Sequence, residues 1–155
     1  MVDFGFAKIV EDKTFTVCGT PEYIAGEIIS GRGHGLSVDY WSLGVLLFEM
    51  LSGAPPFRGE TNYKLFELIL ACKYVLPPSF SEAASSLVSG LLQSDPTRRL
   101  GAMKGGVRDI KEHAFFEGVD WDEVLAAEKI GPLGLLRSNP PAARPPPGPE
   151  FENFS

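Results

Sequence analysis

The chain has 155 residues, of which 44% are hydrophobic and 22% charged, an ordinary composition for one soluble domain. Its formal net charge of -6 does not favour binding to nucleic acid or to an anionic membrane. The two cysteines form neither a disulfide framework nor a zinc motif, and the N-terminus does not resemble a signal peptide. The most apolar stretch, residues 41–51, is far shorter than the ~20 residues that span a bilayer. We therefore expect a cytoplasmic protein with no membrane span and no nucleic-acid partner.

The first half of the chain predicts an extended segment followed by one strongly apolar helix. Residues 3–27 show no hydrophobic periodicity and predict an extended loop, and the glycine-rich turn 31–35 follows it. Residues 38–51 are apolar almost all round, which predicts a helix buried on every side. Gly53 and the two prolines after it end this helix.

The second half predicts shorter helices separated by proline. Residues 62–72 have apolar positions at helical spacing. The run Ser79-Phe80-Ser81-Glu82 fits a capping box, and a helix with an apolar stripe follows it until Asp95-Pro96. We expect two further short helices, near residues 107–113 and 122–127.

The composition changes at Arg137, where a proline-rich segment begins. Residues 138–149 cannot form a helix or a central strand and predict a polyproline-like spacer. A PxxP partner site is the alternative to a plain tether. The aromatic residues 151–155 at the end are candidates for docking onto another surface.

Five short motifs stand in a fixed order along the chain, and together they are far more specific than any one alone. They are Asp3-Phe4-Gly5, Gly19-Thr20-Pro21-Glu22-Tyr23, Ala25-Gly26-Glu27, Asp39-Tyr40-Trp41-Ser42-Leu43-Gly44 and Asp95-Pro96-Thr97-Arg98-Arg99-Leu100-Gly101. Their order and spacing resemble the protein kinase signature from Asp-Phe-Gly through Ala-Pro-Glu to the end of the large lobe.

Within protein kinases the chain resembles the AGC group of serine/threonine kinases, in its cyclic-nucleotide-dependent branch. The phrases at residues 2–8, 14–23 and 106–111 are similar to those of the cGMP-dependent and cAMP-dependent kinases. The resemblance implies a mainly α-helical fold, the large C-terminal lobe of a kinase, over residues 1–136. It also implies an activation segment over residues 3–27 and a proline-rich linker with an AGC-type tail over residues 137–155.

The resemblance implies phosphoryl-transfer roles for residues of the opening segment. Asp3 matches the carboxylate that holds Mg²⁺, although an ordinary turn aspartate is the alternative. Thr16 matches the activation-loop phosphosite, with Thr14 the less favoured neighbour and an unmodified hydroxyl the alternative. Lys8 matches one basic partner of that phosphate. Cys18 lies beside the phosphosite, and we expect it to be an unreactive, small apolar residue rather than a site of oxidation.

A second set of residues matches the positions that read a peptide substrate in this family. Thr20 matches the threonine that marks serine/threonine specificity, and Glu49 matches the glutamate that receives a substrate arginine, with Tyr23 hydrogen-bonded to it. A purely structural ion pair is the alternative for Glu49, because a charge on an apolar helix requires a partner. The remaining members of the set are an acidic contact and the wall of a small apolar pocket: Glu22, Val17, Pro21 and Ile24.

Three residues match structural positions of the family. Glu27 and Arg99 resemble the internal ion pair that ties the activation segment to the lobe. Asp39 resembles the carboxylate that accepts backbone N–H groups of the catalytic loop, and Trp41 is expected in the core. Gly26 replaces the usual proline of Ala-Pro-Glu, so we expect a looser turn there.

The implied parent function is transfer of the ATP γ-phosphate to serine or threonine near basic residues. The resemblance implies that the intact kinase uses ATP and Mg²⁺ and acts on protein substrates. A regulatory subunit or domain is a further possible partner. The 155 residues contain no strand-borne Gly-x-Gly-x-x-Gly, no Val-Ala-Ile-Lys and no His-Arg-Asp, so this fragment should be inactive alone and should not bind ATP stably. The alternatives are a non-catalytic binding module and a truncated, poorly folding product.

Overall fold

The computed structural model describes Thr14 and residues 19–127. Their regular structure is six α-helices and two short 3₁₀ turns, and within these residues the one β-type pairing is an isolated bridge between Thr14 and His34. The mainly helical fold class is confirmed. The helices are α1 (Gly26–Ile29), α2 (Ser37–Ser52), α3 (Asn62–Leu70), α4 (Glu82–Leu91), α5 (Val107–Lys111) and α6 (Trp121–Ala127).

The chain divides into two compact units, Met1–Glu117 and Gly118–Ser155. The first holds α1 to α5. In the described part of the second, the Asp120 carboxylate accepts hydrogen bonds from the backbone N–H groups of Asp122 and Glu123, at 2.9 and 3.0 Å, and so caps the start of α6. The linker predicted from residue 137 lies outside the described residues and stays a prediction.

Helix α2 is the centre of the first unit because its buried side carries large side chains. Trp41, Val45 and Phe48 are buried there, and the Trp41 ring stacks on Phe57 with 5.5 Å between ring centroids. The helix ends where Gly53 adopts φ +79° and its N–H donates to the Glu49 carbonyl at 2.7 Å. Among the described helices, none is both long enough and apolar enough to cross a membrane.

The opposite side of α2 corrects the prediction that this helix is buried all round. Leu43, Leu46 and Met50 are 39%, 43% and 73% exposed, and their spacing places them along one side of the helix. We call these three residues the apolar row of α2. An all-apolar pattern shows that a helix can be buried on every side, but it does not supply the neighbour that would cover each side.

The predicted capping box before α4 is wrong by two residues. The helix begins at Glu82, its N-cap is Ser81, and the Ser81 hydroxyl accepts from the Ala84 N–H at 3.1 Å. Ser79 therefore lies outside the helix, and Glu82 sits at the first helical position instead of the third. The helix also ends at Leu91, four positions before Asp95.

The opening segment is less uniformly extended than its lack of periodicity predicts. Residues 21–23 form a 3₁₀ turn, and α1 begins at Gly26, inside the segment expected to be a loop. Thr14 exchanges two backbone hydrogen bonds of 2.9 Å with His34. This bridge fastens one residue of the opening segment to the glycine-rich turn that precedes α2.

Candidate functional site

Tyr23 and Glu49 meet where the 3₁₀ turn Pro21–Tyr23 packs on α2. Proline begins the turn, which suits its fixed φ, and the Tyr23 N–H donates to the Thr20 carbonyl at 3.0 Å. The Ser42 hydroxyl on α2 donates to the Tyr23 carbonyl at 3.1 Å. These bonds hold the ring so that its hydroxyl donates to Glu49 Oε2 at 2.5 Å.

This hydrogen bond perturbs the tyrosine. The Glu49 carboxylate accepts the phenolic hydrogen bond and, with burial and the negative charges of Glu49 and Glu22, raises the pKa of Tyr23 to about 12. The phenol thus remains a neutral donor at physiological pH. Glu49 is half-buried, and its second oxygen, Oε1, has no hydrogen-bond partner among the described residues. One carboxylate oxygen is fixed while the other stays available to a ligand.

The other residues expected to read a substrate are only partly brought together. Pro21 and Glu22 belong to the same turn as Tyr23 and are half-buried, whereas Thr20 is exposed. Ile24 is buried in the core behind the turn. Val17 lies outside the described residues, so the small apolar pocket that was predicted from it stays a prediction.

The residues expected to hold phosphate and metal also lie outside the described part of the chain: Asp3, Lys8 and Thr16. Among the residues that the structure does describe, no three acidic, histidine or cysteine side chains are grouped as metal ligands would be. Asp39 is exposed near the start of α2, and its side chain has no hydrogen-bond or ion-pair partner among the described residues.

Glu27 and Arg99 form a buried, two-pronged ion pair. Arg99 Nη1 lies 2.7 Å from Glu27 Oε1, and Arg99 Nη2 lies 3.0 Å from Oε2. The same guanidinium donates from Nη1 to the Ser37 carbonyl and from Nε and Nη2 to the Gln93 carbonyl, at 2.8 to 3.1 Å. All five N–H donors of Arg99 are therefore used. The pair joins α1, the start of α2 and the segment after α4.

A sequence model of the protein kinase domain matches residues 1–116. The chain belongs to the protein kinase family. It is 51% identical over 124 residues to the cAMP-dependent protein kinase catalytic subunit PRKX of Mus musculus. The matched region covers 80% of this chain and 35% of that protein. It is 48% identical over 133 residues to the cAMP-dependent protein kinase catalytic subunit of Dictyostelium discoideum. This match covers 86% of this chain and 20% of that protein.

The similarity extends to a third kinase, cGMP-dependent protein kinase 2 of Mus musculus, at 42% identity over 144 residues, covering 90% of this chain and 19% of that protein. The kinase chain thus spans about a fifth to a third of the length of these relatives. The resemblance to cyclic-nucleotide-dependent AGC kinases that the motifs indicated is confirmed.

Three residues that support these contacts were not singled out from the sequence. Ser42 anchors the turn that carries Tyr23, and its one signal is a hydroxyl inside an otherwise apolar helix. Gln93 and Ser37 serve Arg99 through their backbone carbonyls, which every residue type possesses. No side-chain pattern could have marked them.

Proposed function

We propose that this chain is part of a serine/threonine protein kinase that transfers the ATP γ-phosphate to serine or threonine near basic residues. The observation that carries the proposal is the Tyr23–Glu49 hydrogen bond, because it holds a carboxylate at a half-buried position with one oxygen open. In this proposal Glu49 receives an arginine of the protein substrate, and Thr20 and Glu22 border the same peptide.

The chemistry of a carboxylate held in this way favours arginine as its ligand. A guanidinium presents several N–H groups in a planar fork, and charge-assisted hydrogen bonds are roughly twice as strong as neutral ones. Glu22 adds negative charge on the same turn, and its field is felt at the Tyr23 hydroxyl. An arginine bound here should be held less tightly as salt increases, since Glu49 remains partly exposed to solvent.

For phosphoryl transfer we propose that the intact kinase uses ATP and Mg²⁺, with Asp3 as a metal ligand, Thr16 as the activating phosphosite and Lys8 as a phosphate partner. The described residues by themselves offer no cluster that fits a metal ion. The 155 residues also lack the motifs that cradle ATP and accept the hydroxyl proton. We expect no phosphate transfer from ATP to an arginine-rich peptide by the purified 155-residue chain, and detectable transfer would overturn this expectation.

The peptide-reading role of Glu49 can be tested by NMR titration of the 155-residue chain. The probe is a peptide with arginine two residues before a serine and an apolar residue after it. We expect saturable shifts that are lost when the peptide arginine is replaced by alanine, and that weaken in Glu49→Gln. Glu60→Gln is the matched control, because Glu60 is an exposed glutamate in the segment between α2 and α3. Equal shifts from both peptides, or unchanged shifts in Glu49→Gln, would leave Glu49 a structural carboxylate.

A second candidate function is a non-catalytic module that binds protein substrates or a regulatory subunit. The observation that favours it is that the Tyr23–Glu49 contact lies within the described first unit and requires no nucleotide to form. Peptide binding by a chain that shows no transfer would agree with both candidates. The two separate when the chain is supplied with the missing kinase motifs, since only the first candidate then predicts transfer.

A further inference from the structure

An open cleft of about 970 Å³ lies on the first unit, away from Tyr23 and Glu49. It is bordered by the loop that leads into α2, by the C-terminal end of α3 and by the loop that follows α4. Its volume is within the range of small-molecule sites in proteins. None of Thr20, Glu22, Tyr23 and Glu49, the residues of the proposed peptide site, lines this cleft, so a ligand here would be independent of that site.

Trp41 lines this cleft and carries an unsatisfied donor. Its side chain is 1% exposed, and its indole Nε1 is the one buried side-chain nitrogen or oxygen without a hydrogen-bond partner in the described part of the chain. A buried N–H without an acceptor costs about 1–3 kcal/mol, which is why buried indoles usually find a partner.

None of the described side chains packed around Trp41 accepts its indole hydrogen bond. One face of the ring stacks on Phe57, and the Arg99 guanidinium lies 5.2 Å from the ring centroid. The Glu27 carboxylate beside it already accepts two hydrogen bonds from Arg99. The described residues thus hold no acceptor for Nε1, and a molecule that enters the cleft can supply one.

The lining of the cleft combines exposed apolar side chains with polar ones. Leu36 and Leu70 both line it, and they are 70% and 49% exposed. Two exposed leucines beside an indole N–H that lacks an acceptor provide the apolar surface and the placed polar group that ligand sites combine. Arg32 and His34 also line the cleft, so the lining includes a guanidinium and an imidazole.

We propose that this cleft binds a small molecule that carries a carbonyl oxygen on an apolar group. The carbonyl accepts the hydrogen bond from Trp41 Nε1, and the apolar group covers Leu36 and Leu70. No covalent step is involved. Since Nε1 is buried, the lining opens slightly as the carbonyl enters, and the exposed leucine side chains have room to move.

The test compares acetophenone with ethylbenzene, which has the same shape but lacks the carbonyl oxygen. The readout is the indole N–H signal of Trp41 in the 155-residue chain labelled with ¹⁵N, with Trp121→Phe leaving a single indole signal. Acetophenone should move this proton downfield saturably, and ethylbenzene at the same concentration should not. No saturable shift with acetophenone, or an equal shift with ethylbenzene, would overturn the proposal.

Two variants check that the probe occupies the cleft. Leu36→Ala and Leu70→Ala should each weaken acetophenone binding by about tenfold, because each removes apolar lining. Leu51→Ala is the matched control: Leu51 is also an exposed leucine, but it does not line the cleft and should leave binding unchanged. Equal weakening in all three variants would show that the probe binds exposed apolar surface in general, and the proposal would fail.

Discussion

Arg99 and Glu27 are 72 positions apart in the sequence, yet they form the two-pronged ion pair at the centre of the first unit. Arg99 is fully buried and Glu27 nearly so. A buried ion pair by itself is weak evidence of stability, because desolvation offsets most of the attraction between the charges. Here the two carbonyl partners of Arg99 complete its hydrogen bonding, so removing either charged residue leaves several buried polar groups without partners.

Breaking this pair should be strongly destabilising. We expect Arg99→Ala or Glu27→Ala to lower the free energy of unfolding by about 3–5 kcal/mol, because each leaves the other charge buried and unpaired. The double variant should lose clearly less unfolding free energy than the sum of the losses in the two single variants. Urea unfolding of the four proteins in the cycle measures the coupling, and Arg98→Ala, at an exposed neighbouring arginine, should have little effect. Additive single effects would mean that the pair is not coupled.

Replacing Gly26 by proline should stabilise the chain by about 0.4–1 kcal/mol, through reduced entropy of the unfolded state. Gly26 is the first residue of α1, where proline is favoured, and Ala25 before it is already extended at ψ 152°. A Cβ at Gly26 would meet nothing closer than 3.8 Å. Thermal unfolding checks the gain. Gly31→Pro is the contrasting variant and should destabilise, because Gly31 has φ +64°.

Replacing Gly44 by alanine should destabilise the contact between α2 and α4. The added Cβ would lie 2.8 Å from the Leu91 Cβ and 3.0 Å from Leu92 Cδ2, closer than packed carbons come. Overpacking costs about 1–3 kcal/mol, while the better helix propensity of alanine returns up to about 1 kcal/mol. A net loss is therefore expected in chemical denaturation. In the control Gly90→Ala on α4, the nearest contact of the added Cβ would be 3.3 Å, so this variant should lose less stability. An equal or greater loss of stability would contradict this account.

Stability should fall at high pH partly through Tyr23. Its pKa is raised from 10.0 to about 12, chiefly by the hydrogen bond to Glu49, so its contribution is complete below pH 10 and is lost as the pH rises towards 12. Unfolding free energies measured across this interval should decline less steeply in Tyr23→Phe than in the parent chain. Tyr63 is a highly exposed tyrosine, and the unfolding free energy of Tyr63→Phe should decline as steeply as that of the parent chain. Identical slopes for all three proteins would argue against the Tyr23–Glu49 bond.

The parts of this chain that the sequence predicts best are those where residue type and partner are both specific. The resemblance to protein kinases implied that Glu27 pairs with Arg99, and the structure places the two residues in contact. The cap of α4 was misplaced because Ser79 and Ser81 are chemically equal candidates, and the backbone decides between them. The cleft beside Trp41 could not be foreseen, since its walls come from three segments that are separated in sequence.

The apolar row of α2 has a consequence for the fate of the chain in a cell. Leu43, Leu46 and Met50 present a strip of exposed hydrocarbon along a helix. Chaperones and proteases act on chains that expose apolar surface, and they do so continuously in living cells. The half-life of this polypeptide in a cell should therefore depend on how soon another surface covers that strip. Its cellular abundance should rise when the strip is covered.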